Sequence, residues 1–219
     1  MNFNYQKARE LMVENQLRPN KIKDKVVLDI FRNIPKEDFL PNEIKTFAYF
    51  DSDINLLKNR GYLKNLHIAQ LINYSEIQKN HKVLHLGALT GYITAILSKL
   101  SNEVFAIETD NKIKNDFLNN IQKNKFENIQ LVEGSFEKGF SQKSPYDLIF
   151  IDNPIRKVSE DILLQLNKKL GKIIMIEKDN NYVNQAVKIV NNDDKFSKQY
   201  LFDVFSKYQL YEEKENFVF

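Results

Sequence analysis

The chain contains no cysteine. This absence excludes disulfide bonds, thiolate metal sites and cysteine nucleophiles. No apolar run approaches the ~18 residues that a membrane span requires. The first seven residues also lack the apolar core of a secretion signal. We therefore expect a cytoplasmic protein with no membrane partner.

Arginine is scarce, because only Arg9, Arg18, Arg32, Arg60 and Arg156 accompany the many lysines. The 32 basic residues interleave with 29 acidic ones, which leaves a formal net charge of only +3. Nucleic-acid-binding proteins usually cluster arginine with stacking aromatic residues. We expect no nucleic-acid partner. The sequence carries no indication of an oligomeric state.

Several sequence motifs are absent as well. There is no GxGxxG pattern, no Walker A pattern and no GxSxG elbow. These absences disfavour a dinucleotide enzyme, a nucleoside triphosphatase and an α/β-hydrolase. His81 and His85 are four residues apart, but they lie on an extended segment and not on one helix face. We expect no metal site.

The stretch around residues 82–97 organises the rest of the chain. An apolar run, 82–86, has the composition of a buried strand. Gly87 and Gly91 follow it, and then apolar residues recur at helical spacing. Such a strand, glycine turn and helix form the unit in which a nucleotide-like ligand lies at a helix N-terminus. A second apolar run ends in Glu108, where a carboxylate can accept hydrogen bonds from a ribose diol.

From residue 81 onward strands alternate with helices, which predicts an α/β fold with a mostly parallel sheet. The expected strands are 82–86, 103–107, 129–133, 147–151 and 172–177, and the expected helices lie near 92–100, 112–124 and 159–169. Segments 186–190, 200–205 and 217–219 are expected to close the sheet as antiparallel edge strands.

The N-terminal part has a different pattern. Residues 5–18 predict an amphipathic helix, and Asp24 is expected to cap a second one. Residues 42–64 show no clean period and predict a long irregular segment. Asn65 is expected to cap the helix that precedes the first strand. With 219 residues, we expect an N-terminal helical extension and lip segment, 1–64, and one compact Rossmann-like unit, 65–219.

Candidate ligand-binding residues follow four successive strands of the predicted sheet. Ligands of open α/β sheets bind at the carboxyl ends of the strands, where we place Gly87 with Gly91, Glu108, Gly134-Ser135 and Asp152. Each residue also has a purely structural interpretation: the glycines as a tight turn, Glu108 at the next helix N-terminus and Asp152 as a cap. S-adenosylmethionine fits one strand–loop–helix unit with one acidic residue better than a dinucleotide does.

Several segments besides the glycine turn form a joint pattern: residues 9–18, Asp24, Ile34-Pro35-Lys36-Glu37, Phe39-Leu40-Pro41, Ala48-Tyr49 with Asp51, Pro145-Tyr146-Asp147-Leu148-Ile149, Gln165-Leu166 and Phe217-Val218-Phe219. Together with residues 83–97, they resemble a known family, the protein-L-isoaspartate O-methyltransferases. Residues 9–18 are similar to the opening helix of that family, and residues 83–97 to its cofactor motif. The N-terminal similarity is specific, because few other methyltransferases carry that extension.

The resemblance implies a Rossmann-like class I methyltransferase fold with a mostly parallel seven-stranded sheet, helices on both faces and an N-terminal helical extension. The implied cofactor is S-adenosylmethionine, and the implied partner is a protein or peptide that bears isoaspartate. The implied cofactor-binding residues are His85, Gly87, Thr90, Gly91, Glu108, Ser135, Phe136 and Asp152. The implied substrate lip contains Asp51, Arg60, Gly61, Tyr62 and Leu63.

The resemblance assigns no catalytic side chain. A substrate carboxylate is already ionised at neutral pH and can attack a sulfonium methyl group without a strong general base. Alignment of the reactants and exclusion of water are then the main contributions of the protein.

Four departures from the family pattern favour alternative interpretations. His85 stands where the family has an acidic residue, Leu89 replaces a glycine, and Ser135 replaces an aspartate. Residues 60–63 occupy the positions of a Gln-Thr-Ile-Ser segment, so the serine hydroxyl is missing. Leu89 is a bulky residue at a position where close approach of a ligand to the backbone is expected, which raises the question of whether it crowds the loop.

One alternative is a catalytically degenerate relative that acts as a non-enzymatic binding module. Another is a methyltransferase for a different acceptor, since Asp152-Asn153-Pro154-Ile155 partly resembles the Asp/Asn-Pro-Pro-aromatic segment of amino-group methyltransferases. It lacks the second proline and the aromatic residue.

Overall fold

The computed structural model describes residues 3–179 and 183–211, and a seven-stranded sheet organises them. Its strands are β3 (Lys82–Leu86), β4 (Glu103–Ile107), β5 (Ile129–Leu131), β6 (Leu148–Ile155), β7 (Lys169–Glu177), β8 (Asn184–Asn192) and β9 (Lys195–Val204). A separate two-stranded hairpin consists of β1 (Ile54–Asn55) and β2 (Gly61–Tyr62).

The strand order is β5-β4-β3-β6-β7-β8-β9. Pairings from β5 to β7 are parallel, and the β7–β8 and β8–β9 pairings are antiparallel. The mostly parallel sheet and its antiparallel edge are therefore confirmed. The predicted strand 217–219 lies outside the described residues.

Alternate residues of the central strands face two separate apolar layers. Val83, Val104 and Leu148 pack into the larger core, whereas Leu84 and Phe105 pack into the smaller one on the opposite face. Burial on both faces explains why these strands appear in the sequence as nearly continuous apolar runs.

The helices are α1 (Tyr5–Met12), α2 (Lys25–Asn33), α3 (Asn65–Ser75), α4 (Tyr92–Leu100), α5 (Asn111–Lys123) and α6 (Glu160–Leu163). A π-helical turn, Val13–Leu17, extends α1, and 3-10 turns occur at Lys36–Phe39, Asn42–Phe47 and Ser141–Lys143. Asp24 caps α2 as expected, since its side chain accepts from the backbone N–H groups of Val26 and Val27. None of the helices in the described part of the chain has the length and apolar character needed to cross a membrane.

Helices cover the two faces of the sheet unequally. Side chains of α1 to α5 all contribute to the larger core, and the N-terminal helices share that core with the sheet. The opposite face is covered by the single turn of α6 and by irregular segments. The helix expected over 159–169 is therefore too long. Leu166 already bridges to Tyr146, and β7 begins at Lys169.

The expectation of an irregular segment over residues 42–64 was wrong in part. Ile54 pairs with Tyr62 and Asn55 with Gly61 in the β1–β2 hairpin. Two-residue strands are too short to produce an alternating sequence pattern, so periodicity could not reveal them. We call residues 51–63 the lip.

Leu89 occupies a core position and does not crowd a ligand-binding loop. Its φ is 50°, in the left-handed region that β-carbons disfavour. Its side chain is fully buried in the larger core. The Leu89 side chain therefore points into the protein and does not crowd the glycine turn.

We expect Leu89→Gly to lower the free energy of unfolding. Relief of the left-handed strain is worth about 1–2 kcal/mol, whereas loss of a buried leucine side chain costs about 2–5 kcal/mol. Urea denaturation of both proteins measures the difference.

The matched control is Lys125→Gly, because Lys125 has a φ of 55° and an exposed side chain. This substitution relieves the same strain without loss of burial and should stabilise the protein slightly. If Leu89→Gly is the more stable of the two variants, Leu89 does not contribute to the core as described.

Candidate functional site

The candidate site lies at the carboxyl ends of β3, β4 and β6. The strand order reverses between β3 and β6, and in open α/β sheets ligands bind at such a switch point. Gly87 ends β3 with a φ of 82°, and Gly91 precedes α4 with a φ of 99°. A β-carbon on Gly91 would press on Phe117 and Ile121, so this glycine allows α5 to pack closely.

Glu108 follows β4, and its carboxylate accepts five hydrogen bonds. Its Oε1 accepts from the backbone N–H groups of Thr109 at 2.8 Å and Asp110 at 3.1 Å, and from Arg60 Nη1 at 2.8 Å. Its Oε2 accepts from the backbone N–H of Leu89 at 2.8 Å and from Arg60 Nη2 at 2.6 Å. The side chain has no exposed surface.

Arg60 determines the charge state of Glu108. Burial raises the pKa of this carboxyl, but the hydrogen bonds and the positive charge of Arg60 lower it. Hydrogen bonds from the backbone N–H groups of Thr109 and Asp110 lower it as well, and together these contributions outweigh burial. The pKa of Glu108 therefore lies below its usual range. Both partners are charged at neutral pH, and they form a buried, bidentate ion pair.

Arg60 reaches this position from the lip, immediately before β2. Its guanidinium lies 5.0 Å from the centre of the Phe136 ring, so it also makes a cation–π contact. Its Nε is buried and has no hydrogen-bond partner among the described residues. The guanidinium is therefore only partly satisfied in this position.

A second segment, residues 206–211, crosses the same place, and we call it the strap. The backbone N–H of Gln209 donates to the carbonyl of Asn59, and that of Leu210 donates to the carbonyl of Pro154, both at 2.9 Å. The Leu210 side chain lies directly over Gly87, where a β-carbon would overlap its Cδ1. The open face of the glycine turn is thus covered by the protein itself.

Tyr62 occupies the N-terminus of α4. Its hydroxyl accepts from the backbone N–H of Tyr92 at 3.0 Å and lies 2.9 Å from Thr90 Oγ1. Since Thr90 donates its own proton to the carbonyl of Phe39, Tyr62 donates to Thr90. Burial raises the pKa of Tyr62, which keeps the hydroxyl neutral. Thr90, an expected cofactor-binding residue, is thereby fully engaged within the protein.

His85 and Asp152 lie beneath the site and bind each other. His85 Nε2 is 2.9 Å from Asp152 Oδ1, and His85 Nδ1 is 2.8 Å from Thr94 Oγ1 on α4. All three side chains are buried. His85 and Asp152 were expected to contact the cofactor, and in this structure they form, with Thr94, a polar link between the sheet and α4.

Ser135 and Phe136 border a cavity of about 500 Å³ beside Arg60. Leu210, Tyr211 and Asp110 complete much of its wall. The Phe136 ring stacks on Tyr211, with ring centres 6.4 Å apart. These two expected residues therefore lie next to open space, whereas His85 and Asp152 are buried.

Lys36 supports the lip from below. Its ammonium group donates to Asn65 Oδ1 at 2.8 Å and lies 5.5 Å from the ring centres of Tyr62 and Tyr92. The side chain is completely buried. Burial lowers the pKa of Lys36 to about 7, although the nearby charge of Asp53 works in the opposite direction.

The outer side of the lip borders a larger cavity of about 950 Å³. Asp51 belongs to its wall, as do the lysines Lys64, Lys178 and Lys207. Lys64 Nζ is 3.6 Å from the Asp51 carboxylate. His67 also lines this cavity, and burial lowers its pKa to about 4, so it is neutral at pH 7.

The structure brings most of the expected residues together, but it also adds residues that the sequence did not indicate. Of the lip residues, Arg60 and Tyr62 reach the glycine turn, Gly61 contacts Asn153, and Leu63 is buried in the core. Asp51 faces the outer cavity. No local pattern marks Leu210 or the pairing of Arg60 with Glu108. The described ranges contain no group of three or more His, Asp or Glu side chains that could hold a metal ion.

Comparison with known proteins identifies a family that this chain matches. Residues 6–205 match the family model "Protein-L-isoaspartate(D-aspartate) O-methyltransferase (PCMT)". Protein-L-isoaspartate O-methyltransferase 2 of Shewanella sediminis is 32% identical over 171 residues, which are 78% of this chain and 70% of the relative. Protein-L-isoaspartate O-methyltransferase of Vibrio atlanticus is 28% identical over 177 residues, 81% of this chain and 84% of the relative.

Two solved structures share the fold. A protein-L-isoaspartate O-methyltransferase superposes with a TM-score of 0.79 at 22% identity, over 90% of this chain and 64% of that one. A Plasmodium falciparum protein, described as a protein-L-isoaspartate O-methyltransferase or beta-aspartate methyltransferase, was solved in complex with S-adenosyl-L-homocysteine. It superposes with a TM-score of 0.78 at 18% identity, over 97% of this chain and 100% of that one. At these identities the superpositions establish the fold alone.

We expect Arg60→Met to destabilise the protein more at pH 7 than at pH 4. Removal of one partner of a buried ion pair costs about 3–5 kcal/mol. The pKa of Glu108 is depressed in the folded state, so its stabilisation is present above the usual carboxyl pKa and is lost as the pH falls. Denaturant titrations at both pH values measure this difference.

The control is Arg32→Met, which removes an arginine paired with Glu14 and Asp29 at the surface. Its cost should not exceed about 1 kcal/mol. An equal loss for Arg60→Met at pH 7 and pH 4 would show that the charge of Glu108 is not what Arg60 stabilises.

We also expect the stability of the protein to rise between pH 7 and pH 10 because of Lys36. The lowered pKa means that the unfolded chain binds a proton that the folded chain has lost, so stability increases with pH by up to about 1.4 kcal/mol per unit. Lys36→Met should flatten this rise, and the exposed Lys23→Met should preserve it. Unfolding curves of the wild type and the two variants at four pH values measure this rise in stability. A rise in Lys36→Met equal to that of the wild type would show that Lys36 does not cause it.

Proposed function

The chain belongs to the protein-L-isoaspartate(D-aspartate) O-methyltransferase family, and we propose that it is an S-adenosylmethionine-dependent O-methyltransferase. Its acceptor is the free carboxylate of isoaspartyl residues in damaged proteins. The observation that carries this proposal is the family match over residues 6–205, which includes the lip, the glycine turn and the strands that carry the site. The cytoplasmic location stays a prediction.

The backbone of the site supports the proposed cofactor. Strand β3, the turn at Gly87 and helix α4 form the unit that binds the methionine part of such a molecule in our proposal. Glu108 stands where a ribose would be held, and Ser135 and Phe136 border the cavity proposed for the adenine. His85, Thr90, Gly91 and Asp152 support this arrangement from below.

The side chains above this backbone do not fit the cofactor as they stand. Arg60 occupies the carboxylate of Glu108, and Leu210 covers Gly87. The conformation described here is therefore one in which the protein fills its own candidate cofactor site.

The proposed chemistry requires no proton transfer from the protein. An isoaspartyl carboxylate is ionised at neutral pH, so no general base is needed. This agrees with the glycine-turn side of the site, where His85 is buried and bound to Asp152 and Thr94. What the chain supplies in this proposal is alignment of the acceptor and exclusion of water.

We place the acceptor peptide in the cavity of about 950 Å³ on the outer side of the lip. Lys64, Lys178 and Lys207 line it together with Asp51, Asp53 and Asp179, so the wall offers ammonium donors to an acceptor carboxylate without a net positive charge. Asp51, the outermost of the expected lip residues, forms part of the same wall.

The occupied site favours one second candidate, a non-enzymatic binding module that has kept the fold. The same contacts of Arg60 and Leu210 support it. The two candidates differ in whether methyl transfer occurs at all.

We expect purified protein to transfer a labelled methyl group from S-adenosylmethionine to a peptide that contains isoaspartate. The matched peptide with ordinary aspartate should remain unlabelled, and the product should lose its label in mild base, as methyl esters do. Glu108→Gln should lower the transfer at least several-fold, since a charged hydrogen-bond acceptor is lost.

The matched variant Glu14→Gln should retain full transfer, because Glu14 pairs with Arg18 and Arg32 at the surface. Equal labelling of the two peptides would reject isoaspartate as the acceptor. No labelling of either peptide would favour the binding module.

A further inference from the structure

We propose that Arg60, Tyr62 and Leu210 form a latch that closes the cofactor site, and that the cofactor binds only after the lip and the strap have moved away. This inference rests on the proposed function, because it concerns the same site. It assigns a regulatory role to an ion pair that could otherwise be considered purely structural.

The first part of the latch is the saturation of Glu108. Two carboxylate oxygens offer about four lone-pair positions, and five donors already occupy them. Three of these donors are backbone N–H groups of the turns around Glu108, which are part of the framework. Arg60 supplies the other two, so a ribose diol can bind this carboxylate only by displacing Arg60.

The second part is the cover over the glycine turn. Gly87 has no side chain, which in a ligand-binding turn allows a ligand to approach the backbone. Here Leu210 Cδ1 lies so close to the position of a β-carbon on Gly87 that the two would clash, and Arg60 Nη2 is 3.3 Å from that position. Both groups occupy space that a ligand at Gly87 requires.

The third part is the N-terminus of α4. The backbone N–H of Tyr92 is one of the donors that a helix N-terminus offers to a ligand. The hydroxyl of Tyr62 already accepts from it at 3.0 Å. One residue of the lip thus occupies this donor, and a second, Arg60, occupies the acceptor at Glu108.

The lip and the strap hold each other over the site, and in the proposed opening they separate from each other. The carbonyl of Asn59 accepts from Gln209, and the Tyr208 ring packs against Gly61, where a β-carbon would come within 2.7 Å of it. The hydrogen bonds between Gly61 and the Asn153 side chain are long, 3.3 and 3.4 Å. The hairpin is therefore held only weakly to the end of β6 at this point.

The buried Nε of Arg60, which has no partner among the described residues, also fits a latch. A permanently buried arginine is usually fully hydrogen-bonded, because an unsatisfied buried donor costs free energy. In the closed position Arg60 carries that cost, which lowers the barrier to its release.

The first test is calorimetric titration with S-adenosylhomocysteine of the wild-type protein, Arg60→Gln and Leu210→Ala. If most molecules are closed, the apparent Kd is multiplied by the inverse of the open fraction, and we expect each variant to bind about tenfold more tightly. Circular dichroism and urea denaturation establish that each variant is folded.

Matched controls remove an arginine and a leucine side chain at other places in the protein. Arg32→Gln removes an arginine from a surface ion pair, and Leu100→Ala removes a buried leucine from the far end of α4. Both should bind S-adenosylhomocysteine as the wild type does. If folded Arg60→Gln and Leu210→Ala also bind no more tightly than the wild type, there is no latch.

The second test uses the absence of cysteine from the chain. The backbones of Asn59 and Gln209 are joined by a hydrogen bond of 2.9 Å, close enough for a disulfide, whose Cα atoms lie about 4.4–6.8 Å apart. The double variant Asn59→Cys/Gln209→Cys, once oxidised, should hold the lip against the strap. We expect it to lose binding when oxidised and to regain it after reduction.

The oxidation rate of the same variant reports the closed state without any ligand. Rapid, complete oxidation supports a closed lip and strap, and S-adenosylhomocysteine should slow it. Failure of the folded variant to oxidise, or unimpaired binding after oxidation, overturns the latch.

The two tests also separate this inference from the proposed function. If S-adenosylhomocysteine binds equally to the wild type and to all variants, the latch fails and the methyltransferase proposal stands. If neither the wild type nor any folded variant binds it at millimolar concentration, the methyltransferase proposal fails. The latch fails with it, even if the disulfide forms rapidly, because no cofactor is then excluded.

Discussion

The carboxylate of Glu108 and the guanidinium of Arg60 are both removed from water, and each is tolerated there because it pairs with the other. Separate burial of either charge would cost several kcal/mol, so this pair constrains everything around it. The pair holds the lip at the end of β4, beside the place where the strap covers the glycine turn. The closed form of the candidate site is thus a consequence of charge compensation.

One element, the lip, borders both the proposed acceptor cavity and the candidate cofactor site. The lip borders the proposed acceptor cavity on its outer side and contacts the glycine turn through Arg60 and Tyr62 on its inner side. A movement that opens the inner side must also reshape the outer cavity. Binding of acceptor and cofactor would then be linked through one element, with no need for a longer pathway.

Many features of the fold could be predicted, because they depend on local patterns. The strands around Glu103 and Lys82 are buried on both faces, so their apolar runs are unambiguous. The cap at Asp24 is likewise a local hydrogen-bonding preference. Prediction was poorer where tertiary contacts override local preference, as in the hairpin at Ile54 and the shortened helix after Ser159.

The sequence by itself determined the α/β fold, the position of the glycine turn and the carboxylate at Glu108, because each follows from periodicity or from a residue type at a strand end. Only the tertiary structure decided what these groups contact. Arg60 lies 48 residues before Glu108 in the chain, and Leu210 lies far after it. Contacts over such separations depend on how the lip and strap fold across the sheet, and no local pattern encodes them.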